Sequence, residues 1–306
     1  MLRYIFRRIV AALIVVFSVV VISFVLLRVA SGNPALMLLP DGATDEEIAA
    51  MESALGLDRP YIVQFWDYFS GILRGDLGTS LQYKRPCLEV ILGRFPRTLE
   101  LALAGSVIAT LLAIPIGLIA GVRQGSGIDL GAMAFALIFQ SMSTVWLAVL
   151  LVLIFSVKLN WLPSMGSDSL KTLILPALTI GLPMAGEVTR MARSGIIDVL
   201  KEDYITATYA RGMSKWDVYL KYALKNALIP CVTLIGMSTA GYLGGAVVCE
   251  SIFTWPGLGG LVKMAVAQRD YPLVQSLLLC FSAMIAICNL LIDILNSWID
   301  RRIVLQ

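Results

Sequence analysis

Side chains able to make or break bonds are scarce in this sequence, and the scarcity narrows what it can do. Histidine is absent from all 306 residues, which removes the commonest general base and the commonest transition-metal ligand together. H-E-x-x-H zinc chemistry and Ser-His nucleophilic chemistry are therefore excluded. No G-x-x-x-x-G-K-[ST] segment occurs, so no phosphate-cradling loop lets the chain hydrolyse ATP by itself. An intramembrane aspartyl site needs two carboxylates, and Asp293 is the only aspartate near the core of a hydrophobic run. It reads more simply as an inner-interface residue beside Asp300-Arg301-Arg302. Of the five cysteines, Cys231, Cys249, Cys280 and Cys288 lie in hydrophobic runs and only Cys87 outside them; no disulfide framework follows. The expectation is a chain that is not an enzyme and binds no cofactor or metal.

What remains is work done by contact. The stretch from Lys201 to Pro230 is the longest charged, amphipathic piece of the second half, and it lies between two hydrophobic runs. Glu202 and Asp203 sit where carboxylates favour a helix N-terminus. Tyr204, Ala207, Thr208 and Arg211 recur at helical spacing on one face, and Gly212 ends the helix because glycine reaches the left-handed region without steric cost. Ser214 and Asp217 form a capping box for a second helix running through Lys215–Ile229 towards Pro230. Ala207, Ala210 and Gly212 would let another surface approach closely. The competing reading is an interfacial loop whose basic residues face anionic lipid.

The elements around this stretch are hydrophobic. The chain is 58% hydrophobic and 15% charged, with mean hydropathy +0.83, the composition of a polytopic helical membrane protein. Its net charge of +3 and lack of a basic-aromatic cluster argue against nucleic acid. Six spans are expected. The first follows Arg3, Arg7 and Arg8, which places the N-terminus in the cytoplasm. Uncharged runs Leu101–Val122, Leu130–Val157, Asn226–Cys249 and Tyr271–Ile292 supply four more. The fourth span starts at Thr172, includes Glu187 or Arg190 near its inner end, and carries Pro176, Gly181 and Pro183, which favour a kink. Thirteen lysines and arginines then fall inside, against four in the two short outer loops, so Lys201–Pro230 faces the cytoplasm. Trp161 and Trp255 fit the outer interfacial belt. Gly236, Ala240 and Gly244 form a small-xxx-small register, flanked by Gly241 and Gly245, suited to close helix packing.

The divisions expected are a first transmembrane helix (1–30), an external segment (31–97), a five-helix core (98–298) containing a cytoplasmic loop at 193–228, and a short cytoplasmic tail (299–306). The external segment carries its own helix signals: a Thr44/Glu47 capping box for a helix ending near Gly56, a helix after Pro60 stopped by Gly71–Gly75, and a third, short one from Pro86. With its aromatics Tyr61, Phe65, Trp66, Tyr68 and Phe69, it is expected to be folded over the outer mouth of the bundle.

Thr206-Ala207-Thr208, three residues, then Gly212 resembles the EAA…G loop of permease subunits of binding-protein-dependent ABC importers. The wider string Asp203-Tyr204…Ala210-Arg211-Gly212…Asn226-Ala227-Leu228-Ile229-Pro230 is similar to the dipeptide/oligopeptide/nickel branch. So are Gly75–Ser80 after Leu55-Gly56-Leu57-Asp58, Asn160-Trp161-Leu162-Pro163…Gly166, Glu250-Ser251 before Trp255-Pro256-Gly257-Leu258-Gly259, and Arg269-Asp270-Tyr271-Pro272. The chain departs from the motif at Thr206, where the family has glutamate, and at Thr208, where it has alanine. The resemblance implies an all-α polytopic membrane protein of six transmembrane helices with a cytoplasmic coupling helix, in the bacterial cytoplasmic membrane. It further implies that Asp203, Tyr204, Ala207, Ala210, Arg211 and Gly212 dock into a groove on an ATPase subunit. The implied partners are a second homologous permease, two ATP-binding subunits holding ATP and Mg, and an external solute-binding protein; the implied cargo is peptide, with glutathione or nickel next. The alternative is a self-sufficient secondary transporter. That class is marked by inverted repeats and ionisable residues at mid-membrane, whereas here no internal symmetry is evident and charges are expected only at span ends.

Overall fold

The computed structural model describes residues 2–30, 39, 43–54, 56 and 58–299. The helices among them are α1 (Leu2–Ala30), α2 (Asp45–Ala54), α3 (Tyr61–Leu73), α4 (Cys87–Val122), α5 (Gly127–Ser141) and α6 (Thr144–Leu151). They continue with α7 (Leu170–Leu200), α8 (Asp203–Ala210), α9 (Lys215–Asp217), α10 (Lys225–Leu243), α11 (Val247–Ile252), α12 (Leu258–Ala267) and α13 (Tyr271–Ile299). Five helical stretches are long and apolar enough to cross a membrane, and Gly127–Ser141 with Thr144–Lys158, bent by 106°, makes up to a sixth. The chain is an all-α polytopic membrane protein. Its only pairing of extended backbone among the described residues is a single bridge, Thr79 to Pro86.

Several helix ends follow directly from local chemistry. Thr44 and Glu47 cap α2 reciprocally: the Thr44 N–H donates to Glu47 Oε2 at 2.8 Å, and the Glu47 N–H to Thr44 Oγ1 at 3.3 Å. Gly212, at φ +82°, ends the segment after α8. Ser214 accepts the Asp217 N–H at 3.2 Å, but its hydroxyl is turned onto the Asp217 carboxylate at 2.6 Å, so only half of the expected box forms.

Four expectations are corrected. The short helix at Pro86 and the second span are one 36-residue helix that continues through Pro96 and Pro115, so the boundary drawn at 97/98 falls inside α4. The third span breaks at Met142–Ser143, whose backbones are extended, and then widens into a π-helix over Val152–Lys158. The fifth span runs unbroken from Lys215 to Leu243, with Pro230 inside it and a π segment over Val218–Leu224; it stops short of Cys249, which lies in α11. Trp255 is buried rather than lipid-facing: its indole N–H donates to the Arg97 carbonyl at 2.8 Å. Trp161, by contrast, is well exposed.

α7 is the hub, touching α4, α5, α6, α10 and α11. Its approach to α4 is set by glycines. A methyl group at Gly117 would lie 2.6 Å from Ala192 Cβ, and one at Gly121 would lie 2.7 Å from Ile196. From the other side, a methyl at Gly186 would lie 2.5 Å from the Ala136 carbonyl of α5. Small-residue packing as close as that of the register near 240 is therefore found here as well. Of that register, Gly236 faces Ile292 and Gly244 faces Ile285 of α13, and Ala240 is buried. Gly245 takes φ +120° beside Val247 and Phe281, and Gly241 meets nothing within 4 Å.

The N-terminal part packs on the rim. α3 runs antiparallel to the outer half of α1, with Phe65 against Phe24 (5.3 Å) and Phe69 against Phe17 (5.7 Å). Its aromatic face is thus taken up by α1, at the side of the bundle. Arg8 of α1 pairs with Asp293 of α13 at 2.9 Å; Asp300-Arg301-Arg302, the expected neighbours of Asp293, lie outside the described residues.

Candidate coupling surface and transmembrane cleft

α8 follows α7 after only Lys201 and Glu202. The elbow is closed by the Lys201 and Glu202 N–H groups on the Asp198 and Val199 carbonyls (3.2 and 3.1 Å). Ile205 and Thr208 turn inwards and are buried, and α8 rests on the Val218–Leu224 segment. Thr208 therefore leaves the face on which Tyr204, Ala207 and Arg211 were expected to share a stripe. Its hydroxyl bonds back to the Tyr204 carbonyl at 2.7 Å. This accounts for the departure from alanine, because a threonine here crowds only its own bundle.

The opposite side of α8 is free of this chain. Asp203, Thr206, Ala207, Ala210, Arg211 and Gly212 are exposed, and a methyl at Gly212 would meet nothing within 4 Å. Tyr204 is exposed too, and its hydroxyl accepts from Asn226 Nδ2 at 2.8 Å, which ties α8 to the start of α10. The six expected contact residues thus stand together on one surface. Beside them lie Trp216 and Leu220, both more than half exposed, with the Trp216 ring edge-on to Tyr219. Sequence reading did not single these out, although Trp216, Tyr219 and Leu220 recur at helical spacing.

Above α8, the inner end of α7 is locked to α5. Arg193 grips Asp129 with two bonds, Nε–Oδ1 at 2.5 Å and Nη2–Oδ2 at 2.7 Å, a bidentate geometry that fixes orientation as well as distance. α7 thus joins α8 to α5 and α4 as one packed helix.

At the other end, two buried carboxylates hold the outer loops. Glu250 takes the Thr98 hydroxyl and the Gly260 N–H, both at 2.9 Å, at the N-terminus of α12, and Thr98 Oγ1 accepts the Leu258 N–H at 2.7 Å. Burial pushes the Glu250 carboxyl above its usual range, against the N–H groups of Gly260 and Gly259 and the Thr98 hydroxyl, which favour the anion. Glycine is required at 257 because a methyl there would run into the Glu250 carboxylate, and at 259 because one would meet the Val247 backbone at 2.7 Å. Asp270 accepts from Ser80 Oγ at 2.5 Å and from the Gln82 and Leu273 N–H groups at 3.2 and 3.3 Å. It fastens the external turn to the start of α13.

Between these ends, a cleft of about 580 Å³ opens among α6, α7, α10 and α11. Its polar lining is Ser143, Thr144, Glu187, Ser238 and Tyr242, with Gly241 on its wall. Glu187 sits 17 residues into α7, about 25 Å from its outer end at 1.5 Å per residue. A bilayer core is about 30 Å thick, so this position lies towards the far end of the span.

Comparison with known proteins agrees with this architecture. Residues 113–305 match the model of the binding-protein-dependent transport system inner membrane component, and residues 1–102 match its N-terminal companion. The chain is similar to the glutathione transport system permease protein GsiC of Salmonella choleraesuis (strain SC-B67), at 39% identity with 99% of each chain covered. It is also similar to the dipeptide transport system permease protein DppB of Alkalihalophilus pseudofirmus, at 36% identity with 99% of each covered. Among solved structures, the inward-facing MetNI methionine ABC transporter shares the fold, with TM-score 0.59 at 16% identity, over 70% of this chain and 97% of that one.

Proposed function

Because the chain belongs to the family of binding-protein-dependent transport system inner membrane components, we propose that it is a permease subunit of an ATP-driven ABC importer that forms half of a peptide pathway. Its relatives' names, for glutathione (a tripeptide) and dipeptides, support peptides as the cargo. Its partners are a second homologous permease, two ATP-binding subunits that hold ATP and Mg, and an external solute-binding protein, assembled in a bacterial cytoplasmic membrane.

The observation that carries the coupling mechanism is the outward strip of α8. Ile205 and Thr208 anchor the helix to its own bundle, while Asp203, Ala207, Ala210, Arg211 and Gly212 present small side chains rimmed by charge to whatever lies below. Ala207, Ala210 and Gly212 admit close approach of a groove; Asp203 and Arg211 tune pairing at its edge. Closure of the ATPases pushes α8, and the two-residue elbow passes that movement to α7. Gly236, Ala240 and Gly244 pack α10 on α13, leaving Gly241 for the second permease.

The test is uptake of a labelled dipeptide by the complete transporter in proteoliposomes. ATP inside should drive it, and collapsing the ion gradients should leave it unchanged. Uptake that follows the gradient and ignores ATP would make the chain a secondary transporter.

A further inference from the structure

The polar cleft among α6, α7, α10 and α11 contains one charge. Of its lining residues only Glu187 is a carboxylate, and no lysine or arginine lines it. Among the described residues no cation forms an ion pair with Glu187, Arg190 on the next turn included, whereas Arg193 one further turn down is held by Asp129. The Glu187 side chain is only half-buried, on a helix whose most apolar window is 72% buried. An ionised carboxylate at this depth is expensive unless it faces water or a counter-charge. The cleft supplies the first and leaves room for the second.

We propose that this cleft is a half-site for the peptide in transit, and that Glu187 holds the peptide's protonated amino terminus. The proposal rests on the reading of the chain as a peptide permease. A volume of about 580 Å³ falls within the roughly 300–1,000 Å³ of small-ligand sites. The Ser143, Thr144 and Ser238 side chains offer neutral hydrogen-bonding groups that suit the peptide backbone. The Tyr242 hydroxyl is spent on the Ile180 carbonyl at 3.0 Å, so this side chain contributes a fixed ring and not a second mobile polar group. A carboxylate without a basic neighbour selects for cation over anion, and does so without recognising any particular side chain. A pathway that must pass many peptide sequences needs that property.

The experiment uses the assembled transporter in proteoliposomes, with Ser238→Cys as a reporter in the cleft. Its reaction rate is compared for a cationic and an anionic methanethiosulfonate, the trimethylammonioethyl and sulfonatoethyl reagents, each normalised to a small thiol in solution. With Glu187 present the cationic reagent should be favoured, and Glu187→Gln should cut the cation-to-anion ratio by about tenfold, the effect of one nearby charge in a partly desolvated site. ATP-driven uptake of a dipeptide with a free amino terminus should fall by a similar factor in Glu187→Gln and recover largely in Glu187→Asp. An unchanged ratio, or wild-type uptake by Glu187→Gln, overturns the proposal. If Glu187→Gln does not assemble, Ser238→Cys alone decides: no cation preference over the solution thiol overturns it. Wild-type complex that takes up no peptide in response to ATP would instead remove the reading beneath it.

Discussion

Replacing Ala207 with tryptophan separates the two roles open to the cytoplasmic strip. Ala207 is exposed on α8 and its neighbours in this chain are on the other side. The substitution therefore costs the chain itself only the difference in helix propensity, about 0.5 kcal/mol, and the bundle should fold. If the strip fills a groove on an ATPase subunit, the indole overfills a shaped contact, which costs about 1–3 kcal/mol. That is roughly 5- to 150-fold in the binding constant, enough to strip ATPase subunits during dilution and to depress ATP-driven uptake in proportion. Gly212→Trp is a less clean probe, because φ of +82° there strains any side chain. Charge reversal at Lys215 or Lys221, both exposed on the following helix, should be far milder. A lipid-facing strip orders these effects the other way, since an aromatic is welcome at an interface and loss of basic charge is not. Co-purification of the ATPase subunits and uptake, measured for both sets, decide the matter. An Ala207→Trp complex with its full complement of ATPase and undiminished uptake would refute the coupling argument.

Further expectations follow from the same geometry. Gly117→Leu should lower the melting temperature of the purified complex, since even its first carbon would sit 2.6 Å from Ala192 Cβ and 2.9 Å from the Thr189 carbonyl, an overpacking cost of about 1–3 kcal/mol. Gly241→Leu should leave the subunit's own melting unchanged but weaken its recovery with the second permease; equal recovery would show that Gly241 faces no partner. Glu250 has a folded-state acidity weaker than its unfolded one, so it binds more protons when folded. Stability should therefore rise as pH falls through the Glu250 titration, and Glu250→Gln should flatten that slope; a slope that survives the substitution would assign it to another group. Phe24→Ala, at a site 5% exposed, should loosen α3 by about 3–5 kcal/mol. Accelerated amide exchange confined to residues 61–73 is the readout, and rapid exchange there in the unmutated complex would contradict the packing on α1.

Elements whose ends are written in backbone chemistry were legible from the chain alone. Thr44 with Glu47, Pro60 before α3, and Gly212 after α8 each meet a local need for a donor, an acceptor or a positive φ, and each was placed correctly. The strip at 203–212 also stood out in the sequence, because small and charged residues are conspicuous in an apolar chain. What was not legible was which apolar side faces protein. In a bilayer, lipid-facing and bundle-facing residues are both apolar, so periodicity does not separate them; α7 was therefore not seen as the hub, nor Gly117 and Gly121 as its contacts. Proline misled for a related reason. Pro96 and Pro230 sit inside helices, where packed neighbours can meet the bonds proline leaves open. The break at Met142–Ser143 carries neither glycine nor proline and gave no signal. Thr208 was placed on the face of Tyr204, Ala207 and Arg211 by its spacing and Trp255 in the outer belt by its residue type, and the tertiary contacts took both inward.

The glycine seam between α4 and α7 sets how this subunit can deform. Where glycines bring two helices this close, only small or short side-chain contacts separate the backbones, little compliant material is left to absorb shear, and the helices should travel together. Bidentate pairing of Arg193 with Asp129 adds α5 to that piece at one end, and Glu250 with Asp270 adds the outer loops at the other. Stiffness of this kind moves the compliance elsewhere, to surfaces where this chain leaves clearance. The cleft beside Gly241 and the strip below α8 are such surfaces. Alternating access in such an assembly would be a change in the angle at which two stiff halves meet, with the hinge between chains and not within one.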